Sequence, residues 1–255
     1  KANPYYDQGE PKTKNLRMSY INQSDYINSI LAGTADVANP SYTNEIADAI
    51  KKANSNGEVS GDKIYTVAVD ALGYGYIGMN SHNISVNKEP GSDASKNLRR
   101  GFATIFAAYR DLAVSTYYGD RASVINYPIS NTSWAAPQPT DDGYEIAFSK
   151  DVNGNPIYTS GMSDEDKYAA AKKAALGFFE AAGYKVENGK IVSAPEGAKM
   201  EYTVMVPGGG TGDHPSFMIM TEAQKALADI GMKLTINDLS NVSDMWNKIQ
   251  AGQAE

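Results

Sequence analysis

Apolar residues recur on one helical face between residues 93 and 109: Leu98, Phe102, Ile105, Phe106 and Tyr109 stand at i, i+4, i+7, i+8 and i+11. This spacing predicts a core-packed helix, capped by Asp93 or Ser95. A second such run covers 163–182. Ser163 is its cap, three acids fill its first turn, and Tyr168, Ala171, Ala175, Phe178, Phe179 and Ala182 form its buried side before Gly183 stops it. Between them, Asp111 starts a short helix that ends at Gly119. Residues 126–142 hold Pro128, Pro137, Pro139, Tyr127 and Trp134, a long loop expected to be pinned by its aromatics or by a ligand.

Period-two alternation predicts strands elsewhere. Residues 1–13 read as a turn-rich opening, and Leu16, Met18 and Tyr20 then alternate as a strand. A helix capped by Ser24 runs to Leu31 and is ended by Gly33, a short strand covers 36–38, Asn39-Pro40 turns, and a helix over 42–53 buries Ile46, Ala49 and Ile50. After a solvated loop at 54–62, Tyr65, Val67, Val69, Tyr74, Tyr76, Ile77 and Met79 read as strands, with a bend where Gly73, Gly75 and Gly78 interrupt them. Nearer the end, Asn188-Gly189 signals a hairpin, and Met200, Tyr202, Val204 and Val206 alternate as a strand. The glycine-rich 208–212 segment leads into a helix with Pro215 in its first turn and Gly231 past its end. A strand over 232–238 and a helix from Ser240 or Ser243, carrying Met245, Trp246 and Ile249, complete the pattern. Strands alternating with helices describe an α/β fold, and the change of character at Gly73 divides it into 1–72 and 73–255.

Length permits this division, since 255 residues can bury one sizeable core or two modest ones. The 23 basic and 30 acidic residues give a net charge of −7 without blocks, which argues against a nucleic-acid binder. No cysteine is available for a disulfide or a thiolate metal site, and no run of about 18 apolar residues occurs. Only His82 and His214 are present, neither with a carboxylate at helical ligand spacing, so no metal and no cofactor is expected.

The most chemically suggestive segment is GGGTGDHPSF at 208–217, which sets Asp213, His214 and Ser216 beside a glycine-rich helix start. Neighbours on a helix start diverge, so they make a poor triad, and no Lys follows to serve a phosphate loop. Two readings remain: backbone N–H groups that receive an anionic or carbonyl group of a ligand, or a flexible turn that His214 helps to cap. The acid clusters at 141–142 and 164–166 read as solvated structure. Trp134 and Trp246 can each serve as a ligand platform or a core plug.

GYIGMN at 75–80, LRRGF at 98–102, YYGDRA at 117–122 and PIS at 128–130 with Trp134 follow one another in an order that resembles a known family. It is the extracellular solute-binding proteins of family 5, the oligopeptide- and dipeptide-binding class that feeds ABC importers. ANPYYDQGEPK and LAGTADV at the start resemble the same pattern, whereas Gly101 stands where it usually has Ala. The resemblance implies a periplasmic-binding-protein-like α/β fold of type II, with a partial first lobe at 1–72 and most of the second at 73–255. It also implies that the chain is an excerpt of a longer protein and binds ligand weakly or not at all by itself. Asn39, Pro40 and Ser41 would line the cleft from the first lobe; Tyr76, Gly210, Thr211, Trp246 and Gln250 would face it from the second. The implied partners are a peptide or related small solute and the membrane permease, with a monomeric protein outside the cytoplasm, periplasmic or lipid-anchored, and no catalysis. A hydrolase or transferase using the 208–214 loop, and a surface sensor or adhesin domain of the same fold, are the alternatives.

Overall fold

Most of the longer helices in this chain start at a side chain that accepts an orphan backbone N–H group. In the computed structural model, which describes residues 5, 7, 9 and 12–255, Thr43, Ser92, Ser163, His214 and Asn241 each cap a helix in this way. Ser92 therefore takes the role expected of Asp93 or Ser95. Ser95 is wholly buried instead, and its Oγ accepts the Val86 N–H at 2.8 Å. Likewise Asn241 rather than Ser240 or Ser243 caps the last helix. The expected opening turns at 1–13 lie largely outside the described residues.

The chain divides into two units, Lys1–Ala68 and Val69–Glu255. The first holds a 3-10 turn, Gln23–Asp25, followed by α1 (Tyr26–Leu31) and α2 (Asn44–Ala53). Its small core joins Ile46, Ile50 and Ile64, with Ile27, Ile30, Tyr42 and Val59 packed around them. The 54–62 loop is ordered by one buried side chain, Asn54. Its amide donates to the carbonyls of Glu58 and Ile64, and its oxygen accepts the N–H groups of Lys63 and Ile64.

In the second unit α3 (Asp93–Ala108) packs along α5 (Asp164–Ala181), with the short α4 (Arg110–Tyr118) between them in sequence. The expected stripe is the core: Leu98, Phe102, Ile105, Phe106 and Tyr109 are all buried against Ala175 and Phe179. β1 (Lys185–Glu187) and β2 (Lys190–Ser193) form the hairpin, with Asn188 and Gly189 both at positive φ as a type I′ turn requires. β3 (Glu201–Val206) and β4 (Lys233–Asp238) pair in parallel, Val206 opposite Asp238. Parallel neighbours need a crossover, and α6 (Pro215–Asp229) supplies it, burying Ile219, Met220, Ala223 and Leu227. α7 (Val242–Gln250) ends the described elements.

Three segments expected to form strands do not. Residues 15–21, 36–38 and 65–80 belong to no ladder, and Leu16, Met18, Tyr20, Val37, Val67 and Val69 are all strongly exposed. Alternation determines which face of a strand is apolar; the strand itself exists only when a neighbour accepts its N–H and C=O groups. No such neighbour pairs with them among the described residues.

Candidate functional site

β3 ends at Val206, and the chain then makes a glycine turn before α6 begins. Gly209, Gly210 and Gly212 take positive φ, a conformation that costs other residues strain. The turn continues the sheet's hydrogen bonding: Leu239 N–H donates to Val206 O at 2.8 Å and Gly209 N–H donates to Leu239 O at 3.1 Å. Thr211 folds back, giving both its N–H and its hydroxyl to Gly208 O. Gly212 is held at both ends, its N–H by Asp238 Oδ2 at 2.7 Å and its carbonyl by the Tyr117 hydroxyl at 3.2 Å.

After these bonds are made, the N–H groups of Gly210 and Asp213 have no acceptor within the described residues. Gly210 is exposed and sits against the turn into α7, where a Cβ added to it would lie 3.7 Å from Ser240 Cβ. No Lys or Arg lies between 206 and 217, while Asp213 and Asp238 are acidic. The turn therefore suits a neutral carbonyl oxygen better than a phosphate.

His214 does not join Asp213 and Ser216 in a catalytic set. Its Nδ1 accepts the Ser216 backbone N–H at 3.1 Å, which makes it the cap of α6. Burial pulls the pKa of this imidazole below its ordinary value, against the opposing fields of Asp213 and Asp238. Among the described residues no group of three or more His, Cys, Asp or Glu could hold a metal ion.

Trp246 and Gln250 stand one turn apart on α7, and both are exposed. The Trp246 ring is half-exposed, on a face shared with Val242 and Ile249. Tyr76 is exposed in the extended 65–80 segment, its ring centroid 6.4 Å from that of Tyr74. The second unit thus brings Gly210 and Thr211 beside the turn that leads to α7.

In the first unit, Asn39 and Ser41 are both exposed just before α2. Ser41 is clamped by Gln23, whose amide donates to Ser41 O at 2.9 Å and accepts Ser41 N–H at 3.3 Å. A shallow groove of about 450 Å³ lies on the same unit, lined by Tyr20, Asn22, Asp25, Asn28, Ser29 and Thr34.

Sequence reasoning assigned no role to Gln23, Asp238 or Arg110. Arg110 anchors the 126–142 loop: its guanidinium donates to Ile125 O at 3.0 Å and to Ala107 O, Ala147 O and Asn126 Oδ1 at 3.4 Å. The rings of Tyr127 and Tyr144 meet nearby at a tilt, centroids 5.5 Å apart, whereas Trp134 is 98% exposed and pins nothing. The one available signal was an arginine at the start of a helix, where a cation is disfavoured by the dipole and calls for another explanation.

Compared with known proteins, residues 1–255 match the model for the middle region of bacterial extracellular solute-binding proteins, family 5. No curated protein and no solved structure matches the chain.

Proposed function

Because the chain belongs to family 5 of the bacterial extracellular solute-binding proteins, we propose that it captures peptides for an ABC importer and presents them to the membrane permease. Membership carries a binding role in ABC import, outside the cytoplasm. The peptide class is our own inference. It rests on one observation, the free Gly210 N–H at the carboxyl end of a parallel strand, in a turn whose acidic neighbours favour a peptide carbonyl over a free anion. The carboxyl ends of parallel strands are where α/β sheets take ligands, because loops there can be shaped without disturbing the ladder.

On this reading residues 1–72 are a piece of the first lobe and 73–255 most of the second. Gly210 and Thr211 meet the ligand backbone, Trp246 offers an apolar platform, and Gln250 and Tyr76 add polar and aromatic contacts. Asn39 and Ser41 are the first unit's own contacts to the solute, with Ser41 fixed by Gln23. A solute that touches both lobes of the complete protein favours the closed form by its differential affinity, and that form is what the permease reads. Micromolar binding corresponds to about 8 kcal/mol, part of which is spent on closure. The protein works as a monomer in the periplasm or anchored by lipid at the outer face of the membrane.

Native mass spectrometry of the complete protein, purified without denaturation, tests this. A co-purified peptide that is lost on unfolding is the expected result; a bound non-peptide solute would overturn the peptide assignment.

A further inference from the structure

We infer that Asp238 is the positioning residue of the 208–212 turn, fixing the conformation in which Gly210 offers its N–H to a solute; this rests on the binding role proposed above for that turn. Asp238 is the last residue of β4, opposite Val206 at the end of β3, so its backbone is set by the parallel ladder rather than by the turn. Its side chain crosses to the turn and accepts Gly212 N–H through Oδ2 at 2.7 Å, the short distance of a charge-assisted bond.

The other carboxylate oxygen is what makes the arrangement specific. Oδ1 is buried and has no hydrogen-bond partner, because Gly208 covers it. A Cβ added to Gly208 would stand 2.7 Å from Oδ1 and 3.2 Å from Cγ, so only glycine lets the carboxylate occupy this place. A buried acceptor left bare is costly, and simple folding of a strand-to-helix turn does not require one. With Oδ1 bare, the carboxylate's one bond to the turn is directed at Gly212. Gly212 is the turn's anchor point, since its carbonyl takes the Tyr117 hydroxyl and the His214 N–H. Holding Gly212 leaves Gly209 on the sheet and turns Gly210 outward, with its N–H unspent.

Two variants test this from opposite sides in the complete protein. Asp238→Asn keeps the shape and a neutral acceptor. Gly208→Ala keeps the acid and displaces it, and Gly208 does not need the left-handed backbone that would penalise alanine. In both, the Gly212 amide proton resonance is expected to move upfield and its exchange with solvent to accelerate. Affinity for the probe peptide trialanine is expected to fall about five- to tenfold, the difference between a charge-assisted and a weakened bond. An unchanged Gly212 resonance in Asp238→Asn overturns the inference, as does unchanged trialanine affinity in both variants. If the unaltered protein does not bind trialanine, the peptide assignment fails, and the Gly212 resonance still decides what holds the turn.

Discussion

The α-carbon of Gly101 lies directly against the ring of Phe179: a Cβ added there would stand 2.8 Å from Cε1 and 2.9 Å from Cζ. Phe179 is fully buried and cannot swing aside, because Phe102 and Tyr184 meet it edge-on at 5.2 and 5.7 Å. The glycine lets α3 and α5 approach closely enough for this aromatic cluster to close. Gly101→Ala should gain about 1 kcal/mol of helix propensity and lose more, about 1–3 kcal/mol, to overpacking. The expected outcome is a net loss of stability in denaturant unfolding, relieved when Phe179→Leu is added. A Gly101→Ala variant more stable than the parent would show that the two helices are free to separate.

Asn54 performs a similar service in the first unit, with hydrogen bonds instead of close packing. Asn54→Ala leaves the Ile64 N–H unpaired in a buried setting and takes one of two donors from the Ile64 carbonyl, which keeps the Gly61 N–H, at a cost of about 1–3 kcal/mol. The core around Ile46 and Ile50 is small, so the loss should appear as faster amide exchange along α2 while α3 and α5 keep their protection. Equal protection of α2 in both proteins would mean that other contacts carry the loop.

Arg110→Lys should release the loop it anchors. A lysine ammonium lacks the planar fork that reaches Ile125, Asn126 and Ala147 together. Limited proteolysis should cut within 126–142 several times faster in the variant, with α3 and α5 remaining intact. An unchanged cleavage rate would locate the anchor in the Tyr127 and Tyr144 ring pair instead.

His214 predicts a pH dependence. Its folded pKa lies below the unfolded value, so the unfolded chain binds more protons at mildly acid pH and folding is disfavoured there. Its contribution is complete above the unfolded value of about 6.5 and declines as pH falls through it toward the folded pKa. Protonation also removes the lone pair on Nδ1 that caps Ser216. His214→Asn preserves a capping acceptor without a titrating ring, so the difference in stability between pH 7.5 and pH 5.5 should shrink in that variant. An identical pH profile would assign the acid sensitivity to other groups.

Helices were legible in the sequence because their evidence is local. A stripe such as Leu98, Phe102 and Ile105 recurs within a single segment, a cap such as Ser163 sits three residues from the N–H it receives, and Asn188-Gly189 contains its own turn geometry. The family pattern was readable for the same reason, as ordered short motifs along one chain. The expected strands at 15–21 and 65–80 show where local evidence stops, since period-two alternation does not say which segment will answer their hydrogen bonds.

The candidate site divides along the same line. The glycines at 208–212 announced a special turn, and their sequence placed Gly210 and Thr211 in it. Nothing local connected that turn to Asp238, 26 residues from Gly212 in the chain, or connected Arg110 to Ala147. Those pairings arise from the parallel register of β3 and β4 and from the packing of helices around the aromatic core. The sequence by itself determined the helices, the turns and the family; tertiary structure decided which distant polar groups meet, because a hydrogen bond depends on distance in space and no residue type encodes a partner far along the chain.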